Sequence, residues 1–186
     1  MNPAPNLVLV GPMGSGKSSI GRRVAQRFGL AFFDADREIE AQAGASIATI
    51  FECAGEADFR AREQVVLAGL LASEGAVIAT GGGAVLDPRT RELLRARGFV
   101  VHLHVDIAQQ LARLARDRSR PLLASDDREA VLRRLAEIRE PLYAQVADLR
   151  FDTAAMGAAE TAAKLGHLLD ARWQATVTAT ADGGRP

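Results

Sequence analysis

Residues 11–18 constrain the fold of this chain more than any other stretch. They read GPMGSGKS and fit the phosphate-binding pattern G-x-x-x-x-G-K-[S/T] at every fixed position. A short apolar run at residues 7–10 precedes them, and a helical pattern starts directly after them. A strand, a glycine-rich turn and a helix N-terminus together form an anion site, because backbone N–H groups and the helix dipole face the ligand.

The residue types within this loop predict a bound nucleoside triphosphate. Lys17 is one of only two lysines in the chain, against 21 arginines, and it stands where an ammonium group reaches the β- and γ-phosphates. The hydroxyl of Ser18 stands where it holds Mg2+. We therefore expect ATP and Mg2+ as cofactors. The ATP-binding residues predicted in the loop are Gly14, Ser15, Gly16, Lys17, Ser18 and Ser19.

Length and composition exclude several other classes of protein. A chain of 186 residues is long enough for one domain with a real core. Its formal net charge of zero argues against nucleic-acid and membrane partners. A single cysteine, Cys53, excludes an intrachain disulfide and suits a reducing compartment. No apolar run is long enough for a spanning helix, and no basic residue precedes Lys17, so we expect a cytoplasmic protein.

Apolar runs alternate with helical patterns along the chain, which predicts an α/β fold with three layers, helix–sheet–helix, around a parallel sheet. The predicted strands are residues 7–10, 31–34, 76–80, 99–104 and 149–152. The predicted helices are residues 17–27, 37–43, 47–53, 56–72, 88–96, 107–117, 128–146 and 158–173. We expect a single domain over residues 1–173 and a disordered tail over residues 174–186.

Polar residues follow the second and third predicted strands, where a doubly wound sheet places its ligands. Asp34 and Asp36 follow the second strand. One carboxylate could hold Mg2+ beside Ser18 and the other could orient or deprotonate an acceptor hydroxyl, although either could simply cap the next helix. Three glycines, residues 81–83, follow the third strand and leave room for a ligand against the main chain, unless they form a plain turn.

Arginines offer two weaker signals. Arg60 lies four residues after Glu56 and three before Glu63, so spacing alone favours a surface ion pair. Arginines 113, 116, 118 and 120 crowd a segment that ends in a proline-marked loop, which predicts a mobile lid over about residues 113–126, with a solvated helix face as the alternative. His102 and His104 alternate on a predicted strand and are interpreted as structural.

Taken together, these residues resemble the shikimate kinase family. Six motifs carry the resemblance, in the same order and with similar spacing, over roughly residues 6–170. They are GPMGSGKS at 11–18, FDAD at 33–36, FRARE at 59–63, TGGG at 80–83, RPLL at 120–123 and REPLY at 139–143. The resemblance implies a nucleoside-monophosphate-kinase-like protein with a five-stranded parallel sheet and a lid. It also implies transfer of the γ-phosphoryl group of ATP to the 3-hydroxyl of shikimate, on the route to chorismate and the aromatic amino acids.

The resemblance also implies a role for each matching residue. Ser18 and Asp34 correspond to the Mg2+ side, and Asp36 to the residue that binds the acceptor hydroxyl and either orients or deprotonates it. Lys17, Asp36 and Arg120 are the expected catalytic residues. Arg120 matches the lid arginine on the transferring phosphate, and Arg113 a further nucleotide contact, for which Arg116 is the alternative. The expected shikimate-binding residues are Asp36, Arg60, Gly81, Gly82, Gly83 and Arg139, in which the two arginines hold the carboxylate.

Three other functions remain as alternatives. The first is another small-molecule kinase of the same fold, such as a gluconate kinase, against which the FRARE, TGGG and RPLL motifs argue. The second is a non-catalytic nucleotide-binding module, which predicts the loss of Asp36 or Arg120, and both are present. The third is a nucleic-acid-handling ATPase, which would need a basic surface. We expect a monomer with shikimate as its small-molecule partner.

Overall fold

The computed structural model describes residues 2–115, 127–154 and 156–175. Its main sheet has five parallel strands, β2 (Asn6–Val10), β3 (Ala31–Asp34), β4 (Ala76–Ala79), β5 (Gly98–His104) and β6 (Leu149–Asp152). They lie in the order β3-β4-β2-β5-β6. All five predicted strands are therefore confirmed, and the strand that leads into the phosphate loop lies at the centre of the sheet.

Seven α-helices are assigned in the described part of the chain. They are α1 (Lys17–Phe28), α2 (Ala35–Ala43), α3 (Ile47–Ala72), α4 (Pro88–Arg97), α5 (Ile107–Leu114), α6 (Arg128–Val146) and α7 (Ala158–Arg172). The prediction had two helices at residues 47–53 and 56–72. The structure joins them as α3 across a kink at Gly55, whose φ of 81° and ψ of 174° are not helical. Predicted helix 107–117 ends at Leu114, and residues 116–126 lie outside the description.

The sheet is buried on both faces, as the prediction of three layers requires. Alternate side chains of a strand point to opposite faces, so Leu7 and Leu9 of β2 face α1 and α7, where Leu165 packs. Val8 and Val10 face the other way, toward α3, α4 and α6. Near-continuous apolar strands are what a parallel sheet covered on both sides needs. Within the described ranges, no helix is both long and apolar enough to cross a membrane.

The predicted tail begins two residues too early. Two short strands that the sequence did not suggest, β1 (Asn2–Ala4) and β7 (Trp173–Ala175), pair in parallel as a second small sheet. Buried Trp173 anchors this pairing, because its indole Nε1 donates to the carbonyl of Ala4 over 3.0 Å and its ring packs edge-on against Phe28. Residues 174 and 175 thus belong to the domain, and residues 176–186 of the predicted tail lie outside the described part.

Candidate active site

The carboxyl ends of three neighbouring strands meet around one cavity of about 570 Å3. The phosphate loop follows β2, the two aspartates follow β3, and the three glycines follow β4. Two arginines reach the cavity from α3 and α6. The predicted site residues that line it are Gly14, Gly16, Lys17, Ser18, Ser19, Asp34, Asp36, Arg60, Gly81, Gly82, Gly83 and Arg139.

The phosphate loop has a backbone that only glycine tolerates at its two ends. Gly11 has a φ of 142°, and a Cβ there would come within 2.5 Å of the carbonyl oxygen of Leu103 on β5. Gly16, the residue before α1, has a φ of 90° in the left-handed region. Lys17 Nζ donates to the carbonyls of Gly11 and Pro12, both over 2.8 Å. The lysine head is therefore held over the loop, where phosphate oxygens would be bound.

Ser18 and Asp34 are brought together across two elements. The hydroxyl of Ser18, in the first turn of α1, donates to Oδ2 of Asp34 over 2.5 Å. Asp34 precedes α2 but makes no side-chain capping hydrogen bond, so the helix-cap alternative is wrong for this residue. A hydroxyl and a carboxylate oxygen side by side are ligands that Mg2+ prefers, so this pair fits the predicted metal.

Asp36 lies in the first turn of α2, two residues beyond Asp34, and points toward the glycines after β4. A Cβ at Gly81 would come within 2.9 Å of Asp36 Oδ1 and within 2.5 Å of Glu63 Oε1. The glycine therefore leaves room for two carboxyl groups, and the plain-turn alternative does not explain it. Burial is the main cause that raises the pKa of Glu63, and the negative charge of Asp36 adds to it, while Arg60 and Arg139 act in the opposite direction.

Arg60 makes the ion pairs that its spacing predicts, but only 20% of its side chain is exposed. Its guanidinium pairs with Glu56 over 3.0 Å and with buried Glu63 over 2.6 Å. It also lies against Gly83, where a Cβ would come within 2.5 Å of Arg60 Nη1. Burial alone would lower the pKa of Arg60, but its two glutamate partners raise it. The surface-pair interpretation therefore accounts for the Glu56 contact but not for the buried Glu63 contact, and Arg60 presents a fixed positive charge to the cavity.

Arg139 approaches the same cavity from α6. Its side chain is buried, and a Cβ at Gly82 would lie 3.6 Å from Arg139 Nη1. One turn further along α6, the hydroxyl of Tyr143 donates to the carbonyl of Gly82 over 2.5 Å. Burial lowers the pKa of Arg139, and the like charge of Arg60 lowers it further. Two converging guanidinium groups that repel each other form a site suited to a small anion.

The remaining predicted residues divide into three groups. Arg113, on α5, donates to the carbonyl of Gly14 over 3.0 Å and to the carbonyl of Thr153 over 2.8 Å, so it connects the phosphate loop to the chain after β6. Ser15 is buried beneath the loop and does not line the cavity. Arg120, Arg116 and the greater part of the predicted lid, residues 116–126, lie outside the described residues.

Sequence reasoning missed two residues of the site. Glu63 was assigned only to a surface ion pair, and Tyr143 was given no role. A signal for Glu63 was present, because it lies four residues after Phe59 and three before Val66, on one face of α3. Both of those neighbours are buried, and Glu63 is only 3% exposed between them. No comparable signal exists for Tyr143, whose partner Gly82 is 61 residues away in the sequence.

Comparison with known proteins gives a consistent result. Residues 13–170 match the family model described as shikimate kinase. The shikimate kinase of Xanthomonas euvesicatoria pv. vesicatoria is 58% identical over 178 residues, 96% of this chain and 99% of the relative. That of Stenotrophomonas maltophilia strain R551-3 is 56% identical over 174 residues, 94% and 97% of the two chains.

Solved structures agree with the sequence relatives. The shikimate kinase from Acinetobacter baumannii in complex with shikimate superposes with a TM-score of 0.88 at 45% identity, over 90% of this chain and 94% of that one. A gluconokinase from Sinorhizobium meliloti reaches a TM-score of 0.52 at 20% identity, over 91% and 98% of the two chains. That second likeness extends to the fold alone.

Proposed function

The chain belongs to the shikimate kinase family, and on that premise we propose that it transfers the γ-phosphoryl group of ATP to the 3-hydroxyl of shikimate. The observation that carries the proposal is the convergence of Arg60 and Arg139 on the cavity that the phosphate loop and Asp36 also line. One end of the cavity suits polyphosphate, and the other suits a small anion. A carboxylate between them faces an acceptor hydroxyl.

The end of the cavity that holds the two arginines binds the carboxylate of shikimate. Arg60 and Arg139 each offer a planar fork of N–H donors that matches a carboxylate better than an ammonium does. Glu63 holds Arg60 in place through the 2.6 Å ion pair, and the glycines after β4 keep the main chain accessible to the substrate. Binding of the carboxylate fixes the ring, so that its 3-hydroxyl is directed toward Asp36.

Asp36 accepts a hydrogen bond from that hydroxyl and takes its proton as the new phosphate ester bond forms. The bond between the γ-phosphorus and the bridging oxygen of ATP breaks, and ADP carries away the electron pair. Lys17 stabilises the charge that develops on the phosphate oxygens. The role of Asp36 includes orientation as well as proton transfer, because phosphoryl transfer depends mostly on positioning and charge stabilisation.

Ser18 and Asp34 would hold Mg2+, as their 2.5 Å hydrogen bond between a hydroxyl and a carboxylate supports. Held there, the ion would supply positive charge that offsets the negative charge of the phosphate groups. Arg113 is proposed as a further nucleotide contact from its place between the phosphate loop and Thr153. The protein is proposed to act as a cytoplasmic monomer without nucleic-acid or membrane partners, in line with its zero net charge.

Arg120 keeps the role that the resemblance implies, as the lid arginine on the transferring phosphate. Its side chain would stabilise charge only in the transition state, so Arg120→Ala should lower kcat by about a hundredfold or more. The Michaelis constant for shikimate should change little. Steady-state kinetics with both substrates varied measure the two effects separately. Near-normal turnover in Arg120→Ala would remove this residue from the catalytic set.

A gluconate kinase is the alternative that the same cavity admits, since gluconate also carries a carboxylate and hydroxyl groups. A coupled ADP-release assay with shikimate, gluconate and nucleoside monophosphates side by side distinguishes them. Of the three acceptors, we expect only shikimate to raise ADP release above the background measured with ATP and no acceptor. Lys17→Ala should lose that release. Faster release with gluconate would replace the proposed substrate, whereas release with no acceptor at all would indicate an ATPase.

A further inference from the structure

Two histidines and a glutamate form a cluster outside the catalytic cavity. His102 and His104 lie two residues apart on β5, so their side chains leave the same face of the sheet. Glu140 of α6 packs across that face. Its Oε1 lies 3.7 Å from His102 Nε2 and 3.6 Å from His104 Nδ1. One ligand atom from each of the three residues lies within 4.8 Å of the others.

The buried imidazole of this cluster makes no hydrogen bond. His102 is 1% exposed, and within the described chain neither of its ring nitrogens has a hydrogen-bond partner. The same holds for the buried Nδ1 of His104. Leaving such groups unsatisfied is costly, so a native structure with three of them in one place calls for an explanation. Nε2 of His102 faces the carboxylate of Glu140 without reaching hydrogen-bond distance, which leaves space between the two for an ion.

We propose that His102, His104 and Glu140 bind a divalent transition-metal ion of the Zn2+ class, with the fourth position open to water. Zinc sites with three protein ligands commonly combine imidazole nitrogens with a carboxylate oxygen. Metal–ligand bonds of about 2.0–2.2 Å in a tetrahedron place neighbouring ligand atoms about 3.3 Å apart. The two observed nitrogen–oxygen separations exceed that value by less than half an ångström. The two imidazole nitrogens lie within 4.8 Å of each other, so side-chain movements of up to about 1.5 Å complete the geometry.

The surroundings favour this class of ion over Mg2+. Mg2+ takes oxygen ligands, whereas imidazole suits zinc, copper and nickel. The ring of Tyr143 lies 4.9 Å from that of His102 at 30° and limits its rotation. His104 and Glu140 are partly exposed, with 21% and 34% of their side-chain surfaces accessible, which gives an ion and a water a route to the cluster.

The charges around the cluster limit the affinity. Burial, then the charges of His104, Arg150 and Lys17, lower the pKa of His102 to about 4, so this imidazole is neutral near pH 7. The positive charges of Arg150 and Lys17 oppose a divalent cation, and Glu140 is the ligand that offsets them. The site also lies beside the catalytic one, because His102 pairs with Val10 just before the phosphate loop, and Glu140 follows Arg139. None of the three ligands lines the catalytic cavity.

The test is equilibrium dialysis of the tag-free full chain against Zn2+ in excess Mg2+, which blocks the oxygen ligands of the nucleotide site. The chain carries Cys53→Ser throughout, because the exposed thiol is a competing ligand. We expect one equivalent of Zn2+ per chain, and a loss of affinity of at least about tenfold in Glu140→Gln and in His104→Asn. Co2+ in place of Zn2+ should give the visible absorption of a four-coordinate site, absent from Glu140→Gln.

His167→Asn is the matched control, because it removes the third histidine of the chain, whose side chain is 74% exposed on α7. It should bind the ion as the parent chain does. Thermal unfolding without metal verifies that every variant is folded. If His104→Asn is unstable, Glu140→Gln still decides the test, because Glu140 is partly exposed. Absence of binding, equal binding in Glu140→Gln and the parent, or loss of binding in His167→Asn would each overturn the proposal.

Discussion

The hydroxyl of Ser18 donates a hydrogen bond to Asp34 Oδ2 over 2.5 Å, and this contact connects the phosphate loop to the end of β3. It separates the roles of two aspartates that are only two positions apart. Asp34 turns toward the loop, and Asp36 turns toward the glycines after β4. The residue pattern alone left open which of them holds the metal, the family resemblance implied Asp34, and this contact supports that assignment.

Asparagine substitutions should separate the two roles. Asp34→Asn loses a charged metal ligand, so the Mg2+ concentration at half-maximal activity should rise by about tenfold or more. Asp36→Asn should lower kcat by about a hundredfold, the usual effect of a positioned acid–base group, and leave the Mg2+ dependence unchanged. Each variant is the control for the other in a Mg2+ titration of the coupled assay. An exchange of the two phenotypes would reverse the assignment.

Lysine substitutions test the two arginines that are proposed to bind the carboxylate. Arg60→Lys and Arg139→Lys should each raise the Michaelis constant for shikimate by about tenfold or more, because an ammonium cannot form the paired N–H contacts of guanidinium. The constant for ATP should stay near its original value. Arg62→Lys is the matched control on α3, since Arg62 is half-exposed and pairs only with Asp58 among the described residues. If all three variants had the same Michaelis constant for shikimate, Arg60 and Arg139 would have a structural role only.

Glu63 and Glu56 both pair with Arg60, and their burial predicts different consequences of losing each one. The Glu63 side chain is 4% exposed, whereas that of Glu56 is 52% exposed. Glu63→Gln should raise the Michaelis constant for shikimate by about tenfold, since a charge-assisted hydrogen bond is worth about 1.5–3 kcal/mol. Glu56→Gln should change it less than twofold, as a surface pair contributes about 0–1 kcal/mol. Equal effects of the two would show that Glu63 does not position Arg60.

His102 should make stability depend on pH in the metal-free protein. Its pKa in the folded state is about 4, against 6.5 for an ordinary histidine. Above pH 6.5 the ring is neutral in both states. As pH falls from 6.5 to about 4, only the unfolded chain gains the proton, so the free energy of unfolding falls by about 3 kcal/mol.

Urea unfolding in a chelator at several pH values measures this loss. The groups that face His102 and titrate or carry charge are His104, Glu140, Tyr143, Lys17 and Arg150. His102→Asn should flatten the curve between pH 6.5 and 4, whereas His167→Asn should keep the slope of the unaltered chain. An unchanged slope in His102→Asn would assign the acid loss to other groups.

The sequence predicted the elements whose signals are local. Four strands of the main sheet are mostly apolar runs, and β6 alternates apolar and charged residues. The phosphate loop is a contiguous motif, so each of these elements could be located without knowledge of its neighbours. Contacts between distant residues could not be predicted in this way. Arg60 looked like a surface residue because its spacing to Glu56 and Glu63 is visible in the sequence, whereas its contact with Gly83 is not.

Two further differences have the same cause. The strand pair β1 and β7 joins the two ends of the domain through three residues each, and only the indole hydrogen bond of Trp173 to Ala4 reveals why they meet. The histidines of β5 were interpreted as structural because no set of carboxylate or cysteine partners is visible beside them in the sequence, and Glu140 is 36 positions beyond His104. Its place opposite them depends on how α6 packs on the sheet.

The most direct test of the central claim is identification of the reaction product. The purified chain, ATP, Mg2+ and shikimate are incubated, and the product is analysed by proton–phosphorus correlation NMR. We predict a single phosphate ester whose phosphorus couples to the proton on carbon 3 of shikimate, with none formed by Lys17→Ala. A phosphate on another hydroxyl, or free phosphate with unchanged shikimate, would contradict the account.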